Sequence, residues 1–222
     1  MNPNTNHGHL AGVTDTTEPW RLLAETADFL IIAKPTRMLT QPGKEAHKTD
    51  SLITRVNQEF PEARIVHRLD WDTSGVMVLA RHARAHRTLS IAFQDRRTQK
   101  RYIAQVDRAP EQSKGLIDRP IGPDREHRPR YRIDEEQGRP SQTRYVVLNQ
   151  TADYARLALE PITGRSHQLR VHMLSIGHPI QGDTLYHSHA QNHARLMLHA
   201  ESLSFPDPAS GITQTFSDPA PF

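Results

Sequence analysis

The segment His67-Arg68-Leu69-Asp70-Trp71-Asp72-Thr73-Ser74-Gly75 concentrates the residue types that chemistry needs. It reads as a strand ending in a carboxylate, then a turn rich in hydroxyls and closed by glycine. An acid displayed on such a turn stands where a ligand can approach, and a neighbouring Arg favours its charged form. The same residues also suit a structural arrangement, an Asx-turn in which Asp70 accepts backbone N–H groups of its own turn. Local chemistry by itself leans to the Asx-turn.

Two other sets of side chains invite chemistry. Asp70 and Asp72 stand two apart, and in an extended segment they share one face, the arrangement of a glycosidase-like acid pair. A turn at this point would splay them. His187, His189, His193 and His199 lie within thirteen residues, and H-x-H-x3-H has metal spacing. No acidic ligand sits inside the cluster, and a polar loop before a strand accounts for it equally, so no metal is expected.

The elements that must position these groups follow from periodicity. Residues 1 to about 20 mix Asn, Thr, Gly and His without a period and read as a flexible tail. A strand over Phe29 to Ala33 runs into Lys34-Pro35. Asp50 or Ser51 caps a helix with apolar positions Leu52, Val56 and Phe60, ended by Pro61. A short strand from Arg64 to Leu69 and another from Val76 to Ala80 flank the Asp70 turn. Ala85, Leu89 and Ala92 recur at helical spacing, which predicts an amphipathic helix over 83–95. Tyr102, Ala104 and Val106 alternate with polar neighbours as in a half-buried strand. Residues 110 to 142, rich in Pro, Gly, Arg and acids, read as a long surface excursion. Tyr145 to Leu148 and Ala155 to Leu159 predict a β-hairpin. Ser166 caps a helix to about Ile176, closed by Gly177 with Pro179 beyond. Strands over Leu196 to Phe205 and Ile212 to Phe216 end the chain. With no repeat and no linker, one mixed α/β domain is expected.

Composition narrows the partner. Of 28 basic side chains 23 are Arg, whose planar fork grips phosphate and stacks on bases. Seven basic residues against one acid lie between Arg81 and Arg101, and Arg119, Arg125, Arg128, Arg130 and Arg132 form a second cluster. A solvated helix face and a charged loop would look similar, but two clusters flanking one candidate site favour a polyanion. There is no cysteine, no signal-peptide pattern, and no apolar run beyond five residues. A cytoplasmic protein with no membrane contact is therefore expected.

The segment 67–75 resembles the H-R-L-D-x-x-T-S-G motif of the RluA family of pseudouridine synthases at all seven specified positions. Lys100 to Val106 resembles that family's K-x-Y-x-A-x-V strand, and Thr163 to His172 its T-G-R-x-H-Q-[IL]-R-x-H motif. The likeness runs from about Arg21 to the end, through Arg195 to Ala200. It departs at Arg37, where the family usually has Gly, and at Asp207, where His is common.

The resemblance implies an α+β fold with a mixed, mostly antiparallel central sheet, flanking helices and a catalytic cleft, over one catalytic domain from 21 to 222 without an S4 domain. It implies an isomerase that needs no cofactor. Asp70 becomes the catalytic carboxylate, Arg170 its partner, and Tyr102 the residue that stacks on the flipped uracil and accepts a proton. Arg68 enters the RNA stack, Leu169 packs near the base, and His67, Thr73 and Arg165 complete the RNA-handling set. The partner is RNA, namely 23S rRNA and tRNA anticodon stem-loops as for the short dual-specificity members. No protein partner is implied, and family precedent points to a monomer. A relative with a single RNA substrate is the nearest alternative. An RNA-binding module without catalysis is the other, though Asp70 and Arg170 are both present.

Overall fold

The computed structural model describes residues 14–45 and 47–222. The described residues form twelve strands, three α-helices and one 3-10 turn at Ala190–Asn192. In order these are β1 (Arg21–Glu25), β2 (Phe29–Lys34), α1 (Leu52–Val56), β3 (Arg64–Ile65), β4 (Ser74–Ala80), α2 (Ala83–Gln94) and β5 (Gln99–Val106). There follow β6 (Lys114–Asp118), β7 (Ile121–Pro123), β8 (Tyr131–Ile133), β9 (Gln142–Gln150), β10 (Ala155–Pro161), α3 (Gln168–Ser175), β11 (Leu198–Pro206) and β12 (Thr213–Ser217).

The main sheet runs β1-β2-β4-β11-β5-β10-β9-β6, with β12 on β11 and β3 on β4. β4 and β11 pair in parallel, at His199 with Ser74 and Ala200 with Gly75, whereas the other strand pairs are antiparallel. This mixed, mostly antiparallel sheet with helices on its faces is the architecture expected of the sequence.

β2 and β4 are near-continuous apolar runs because both of their faces are covered. Alternate residues go to opposite sides. Phe29, Ile31, Val76 and Val78 meet Ala85 and Leu89 of α2, while Leu30, Ile32, Met77 and Leu79 meet Leu52 and Val56 of α1. On the far half of the sheet, Leu169 and Met173 of α3 pack on Ala104, Val106, Leu157 and Leu159. β5 joins the halves, and Tyr102 on it touches two core clusters.

Several elements differ from expectation. Ser51 does cap α1, through a reciprocal box with Thr54, but the helix stops at Val56 instead of Phe60. Asn57 Nδ2 donates to the carbonyls of Phe60, Pro61 and Ala63, a local alternative to the helical ladder. The strand expected over 64–69 is only Arg64–Ile65. The N-cap of α3 is His167, not Ser166. Residues 110–142 are not a bare excursion: β6 extends the sheet along β9, and the β7–β8 hairpin packs Ile121, Tyr131 and Ile133 against Val171 and Tyr186. Of the expected tail, residues 1–13 lie outside the described residues. Thr14 Oγ1 donates to the Asp50 carbonyl at 2.6 Å, and the Asp15 N–H donates to the Arg37 carbonyl at 2.9 Å.

Candidate active site

Asp70 sits on the turn between β3 and β4, and that turn is held from beneath. The hydroxyl of Thr40 donates to the Leu69 carbonyl at 2.8 Å and accepts the Leu69 N–H at 3.3 Å. Thr36 donates to the Asp72 carbonyl at 2.7 Å. Between them lies the wholly buried Lys34, whose ammonium donates to the carbonyls of Met38 (2.8 Å), Pro35 (3.0 Å) and Trp71 (3.2 Å). Burial drags the Lys34 pKa down to about 7, against the opposing pull of Asp70 and Asp72. Gly75 closes the turn at φ +121°, and a Cβ there would lie 2.2 Å from the Ala200 carbonyl oxygen. Only glycine lets β4 approach β11 here.

The turn is closed by the backbone, with the Thr73 N–H donating to the Asp70 carbonyl at 3.2 Å. Among the described residues no backbone N–H bonds the Asp70 carboxylate, so the Asx-turn does not form. Asp183, Asp124 and Asp207 do accept such bonds. The Asp70 carboxylate is instead one-third exposed, in a cleft of about 1070 Å³.

Arg170 projects from α3 beneath that carboxylate, its side chain only 2% exposed. The expected partnership with Asp70 is present but secondary. The fork of Arg170 closes on Asp183, with Nε and Nη2 each 2.7 Å from a carboxylate oxygen. Asp70 lies 3.9 Å from Nη1 and Asp72 3.8 Å from Nη2. Burial opposes the guanidinium charge, yet Asp183 outweighs it and the Arg170 pKa moves up. Burial raises the carboxyl pKa of Asp72, and Arg170 only partly offsets that. Asp70 and Asp72 are thus drawn to one cation and not splayed outright, but only Asp70 lines the cleft.

α3 is aimed by a buried polar network. Gln168 accepts at Oε1 from Thr163 Oγ1 (2.7 Å) and the Arg165 N–H (3.0 Å). It donates from Nε2 to the Gln142 carbonyl (2.9 Å) and Thr143 Oγ1 (3.0 Å). His172 Nδ1 meets the same Thr143 hydroxyl at 2.9 Å. These bonds tie the helix start to β9 and hold Leu169 and Arg170 toward the cleft.

Tyr102 reaches the cleft from β5, where it pairs with Leu159 and Ala200. Burial, reinforced by Asp70, pushes its phenol pKa up. The ring therefore enters the site as a neutral phenol, and any proton it accepts must be matched by one it releases. Leu169, Thr73 and Arg165 line the same cleft, and Arg68 stands exposed at its edge. Lys44, Arg96 and Lys100 add positive charge to the rim. His67 also lines the cleft, and its ring is held within the fold. Its Nε2 accepts the Val78 N–H at 3.2 Å and its ring stacks on Phe93 at 4.5 Å. Burial drops its pKa to about 3, so it stays neutral and props the turn against α2.

The histidine cluster near residue 190 disperses into separate contacts. His187 meets Asp107 at 2.7 Å, and His199 bridges Ser74 and the Asp218 carbonyl. Among the described residues no group of three acidic or imidazole side chains converges on a possible metal position. No helix of the described residues is long and apolar enough to cross a membrane.

Sequence reasoning brought out Asp70, Tyr102, Leu169 and Arg170, and the fold gathers them in one cleft. It missed Asp183, Lys34 and Gln168. Asp183 follows Gly182, whose φ of +72° and close approach to the Arg195 carbonyl require glycine. That Gly-Asp pair was the available signal. Lys34 had none, since a lysine before proline ordinarily reads as solvated.

The chain matches the RNA pseudouridylate synthase family model over residues 28–175. It is 45% identical over 209 residues to the dual-specificity RNA pseudouridine synthase RluA of Escherichia coli (strain K12), covering 92% of this chain and 95% of that one. Its similarity to the protein of that name from Vibrio vulnificus (strain CMCP6) is 41% over 217 residues, 93% of this chain and 86% of the other. The solved structure of human RNA pseudouridylate synthase domain containing 1 superposes with a TM-score of 0.79 at 29% identity, covering 92% of this chain and 86% of that one.

Proposed function

The chain belongs to the RNA pseudouridylate synthase family, and from that premise we propose that it isomerises uridines to pseudouridine in 23S rRNA and tRNA anticodon stem-loops, with Asp70 as the catalytic carboxylate. The observation that carries the reading is the placement of Asp70. It is a carboxylate free of its own turn, facing a cleft, 3.9 Å from a buried arginine. The dual choice of RNA rests on the relatives named dual-specificity.

The reaction breaks the N1–C1′ bond of a uridine, turns the uracil and joins its C5 to C1′, with C5 releasing a proton and N1 taking one up. No electrons are exchanged, so no cofactor is called for. The target base must leave its stack, which costs a few kcal/mol, and an inserted side chain with aromatic stacking offsets this. Arg68, exposed at the cleft edge, fills the vacated place, and Tyr102 stacks on the base. A carboxylate can then attack C1′, attack the base, or take the C2′ proton, and each route needs it ionised. Arg170, itself fixed by Asp183, orients Asp70. Leu169 and Tyr102 wall the cleaved intermediate from water, which matters because hydrolysis would end the reaction at free uracil. Arg165 holds the flanking nucleotide and the rim cations take its phosphates, while the buried Thr73 closes the Asp70 turn beneath them. Residues 21–222 act as one catalytic domain, as a monomer in the cytoplasm.

The direct test is tritium release from tRNA and rRNA transcripts labelled at uridine C5. Release from both is expected of the wild-type chain. No release from either overturns the assignment, and release from one alone overturns the dual specificity.

A further inference from the structure

One cleft-lining side chain, anchored by a tyrosine hydroxyl, has no role so far. His167 begins α3 in the left-handed region, at φ +54° and ψ +17°, and its side chain makes no capping bond to the helix. That conformation costs a non-glycine residue about 1–2 kcal/mol and persists only where the surroundings impose it. Here the imposing group is Tyr186. Its hydroxyl lies 2.7 Å from His167 Nδ1, and the same oxygen receives the Tyr131 N–H at 2.7 Å.

The proton count along this chain fixes the imidazole tautomer. A backbone N–H can only donate, so the Tyr186 oxygen is the acceptor for Tyr131. With Tyr186 just 6% exposed, its hydroxyl proton needs a protein acceptor, and His167 Nδ1 is the one in reach. Nδ1 is therefore the accepting nitrogen and Nε2 carries the hydrogen. Among the described residues nothing bonds to Nε2, and His167 lines the same cleft as Asp70, Tyr102 and Arg170. Burial lowers the His167 pKa, with Asp70 opposing, which favours the neutral ring. Tyr131 and Tyr186 ring edges and the Arg170 guanidinium, 5.1 Å above Tyr186, close off the remaining sides.

Resting on the pseudouridine synthase reading, we propose that His167 is a further catalytic residue. It donates a hydrogen bond from Nε2 to an oxygen of the target uridine that gains negative charge as the N1–C1′ bond breaks, and Tyr186 is the positioning residue that fixes its tautomer. A donor aimed beforehand at developing charge costs no reorganisation when the bond breaks. The β7–β8 hairpin takes part through the Tyr131 N–H, so the segment between β6 and β9 is tied to the site.

The test uses the full chain with 5-tritiated tRNA and rRNA transcripts, reading RNA affinity and single-turnover rate separately. His167→Asn tolerates the left-handed backbone but is too short to reach, whereas His167→Gln restores an N–H near the position of Nε2. The Asn variant is expected to bind RNA within about twofold of wild type and turn over about 10- to 100-fold more slowly, the span of one hydrogen bond to a charged group. The Gln variant recovers most of the rate. Tyr186→Phe lowers the rate by about 3- to 10-fold, and lowers it little further when added to His167→Asn. An Asn variant with wild-type rate, or one whose rate loss matches its loss of RNA affinity, overturns the role of His167. Additive losses in the double variant overturn that of Tyr186. Absence of tritium release from wild type itself would instead remove the underlying functional reading.

Discussion

Arg170 grips Asp183 through two hydrogen bonds of 2.7 Å, and the same guanidinium stands 3.9 Å from the Asp70 carboxylate. The arginine is thereby a fixed post and not a mobile counter-ion. Its orientation is set on the buried side, and its remaining nitrogen faces the cleft. Because Asp183 is fully buried, removing it strands a charge in the interior, which typically costs about 3–5 kcal/mol. Asp183→Ala is expected to lose stability on that scale in urea unfolding. Tritium release should fall in parallel even at temperatures where the variant remains folded. Unchanged stability would show that the pair contributes nothing to the fold.

Asp70→Asn removes the charge while keeping the shape. The carboxylate makes no backbone hydrogen bond among the described residues, so folding should be unaffected and RNA affinity nearly so. Tritium release should drop below detection. A variant retaining even a tenth of wild-type single-turnover rate would exclude Asp70 as the reacting group.

Arg68→Ala tests base flipping. Arg68 is exposed at the cleft edge, so its loss should hardly touch stability. The single-turnover rate is expected to fall more than RNA affinity does, since phosphate contacts by the rim cations persist. Near-normal single-turnover rates for this variant would remove the proposed insertion.

Lys34 makes stability depend on alkaline pH. Its folded pKa, about 7, lies below the unfolded value of 10.5, so between these limits the unfolded chain binds more protons. Stability is accordingly expected to rise as pH increases from about 7 toward 10, by as much as a few kcal/mol. Beyond pH 10 Tyr102, whose pKa is raised on folding, reverses the trend. Lys34→Met should flatten the rise in urea-unfolding free energy measured across this range. An equally steep rise in the variant would assign it to other groups.

Arg37 occupies a turn position at φ +54°, the left-handed conformation that glycine adopts without strain. The family's usual glycine at this point is explained by that angle, and the arginine keeps the same backbone at a cost. Arg37→Gly is expected to raise stability by up to about 1 kcal/mol, relief of strain being partly offset by the freer unfolded chain. Loss of the exposed bond from Arg37 to the Ala194 carbonyl should matter little. A destabilised variant would show that this contact, not the backbone, governs the turn.

Local patterns determined much of this protein. Alternation and apolar runs marked β2, β4, β5, β10 and β11, helical spacing marked α2, and the likeness of the segments around Asp70, Tyr102 and Arg170 to the family's motifs, where local chemistry alone leaned to an Asx-turn, pointed to the chemistry. Those signals are legible because each depends on neighbours in the chain. Asp183, Lys34, Gln168 and Tyr186 belong to the other kind. Each acts through a partner that sequence distance conceals: Asp183 on Arg170 of the preceding helix, Lys34 on the carbonyl of Trp71, Gln168 on Thr143, Tyr186 on Tyr131 and His167. The strands β6 to β8 escaped because they are three to five residues long, β6 pairing only with the distant β9 and the β7–β8 hairpin packing against Val171 and Tyr186 far along the chain. The family-like motif singled out Asp70 as the expected catalytic carboxylate. Only the folded sheet, by burying the charges behind it, decided how that carboxylate is held.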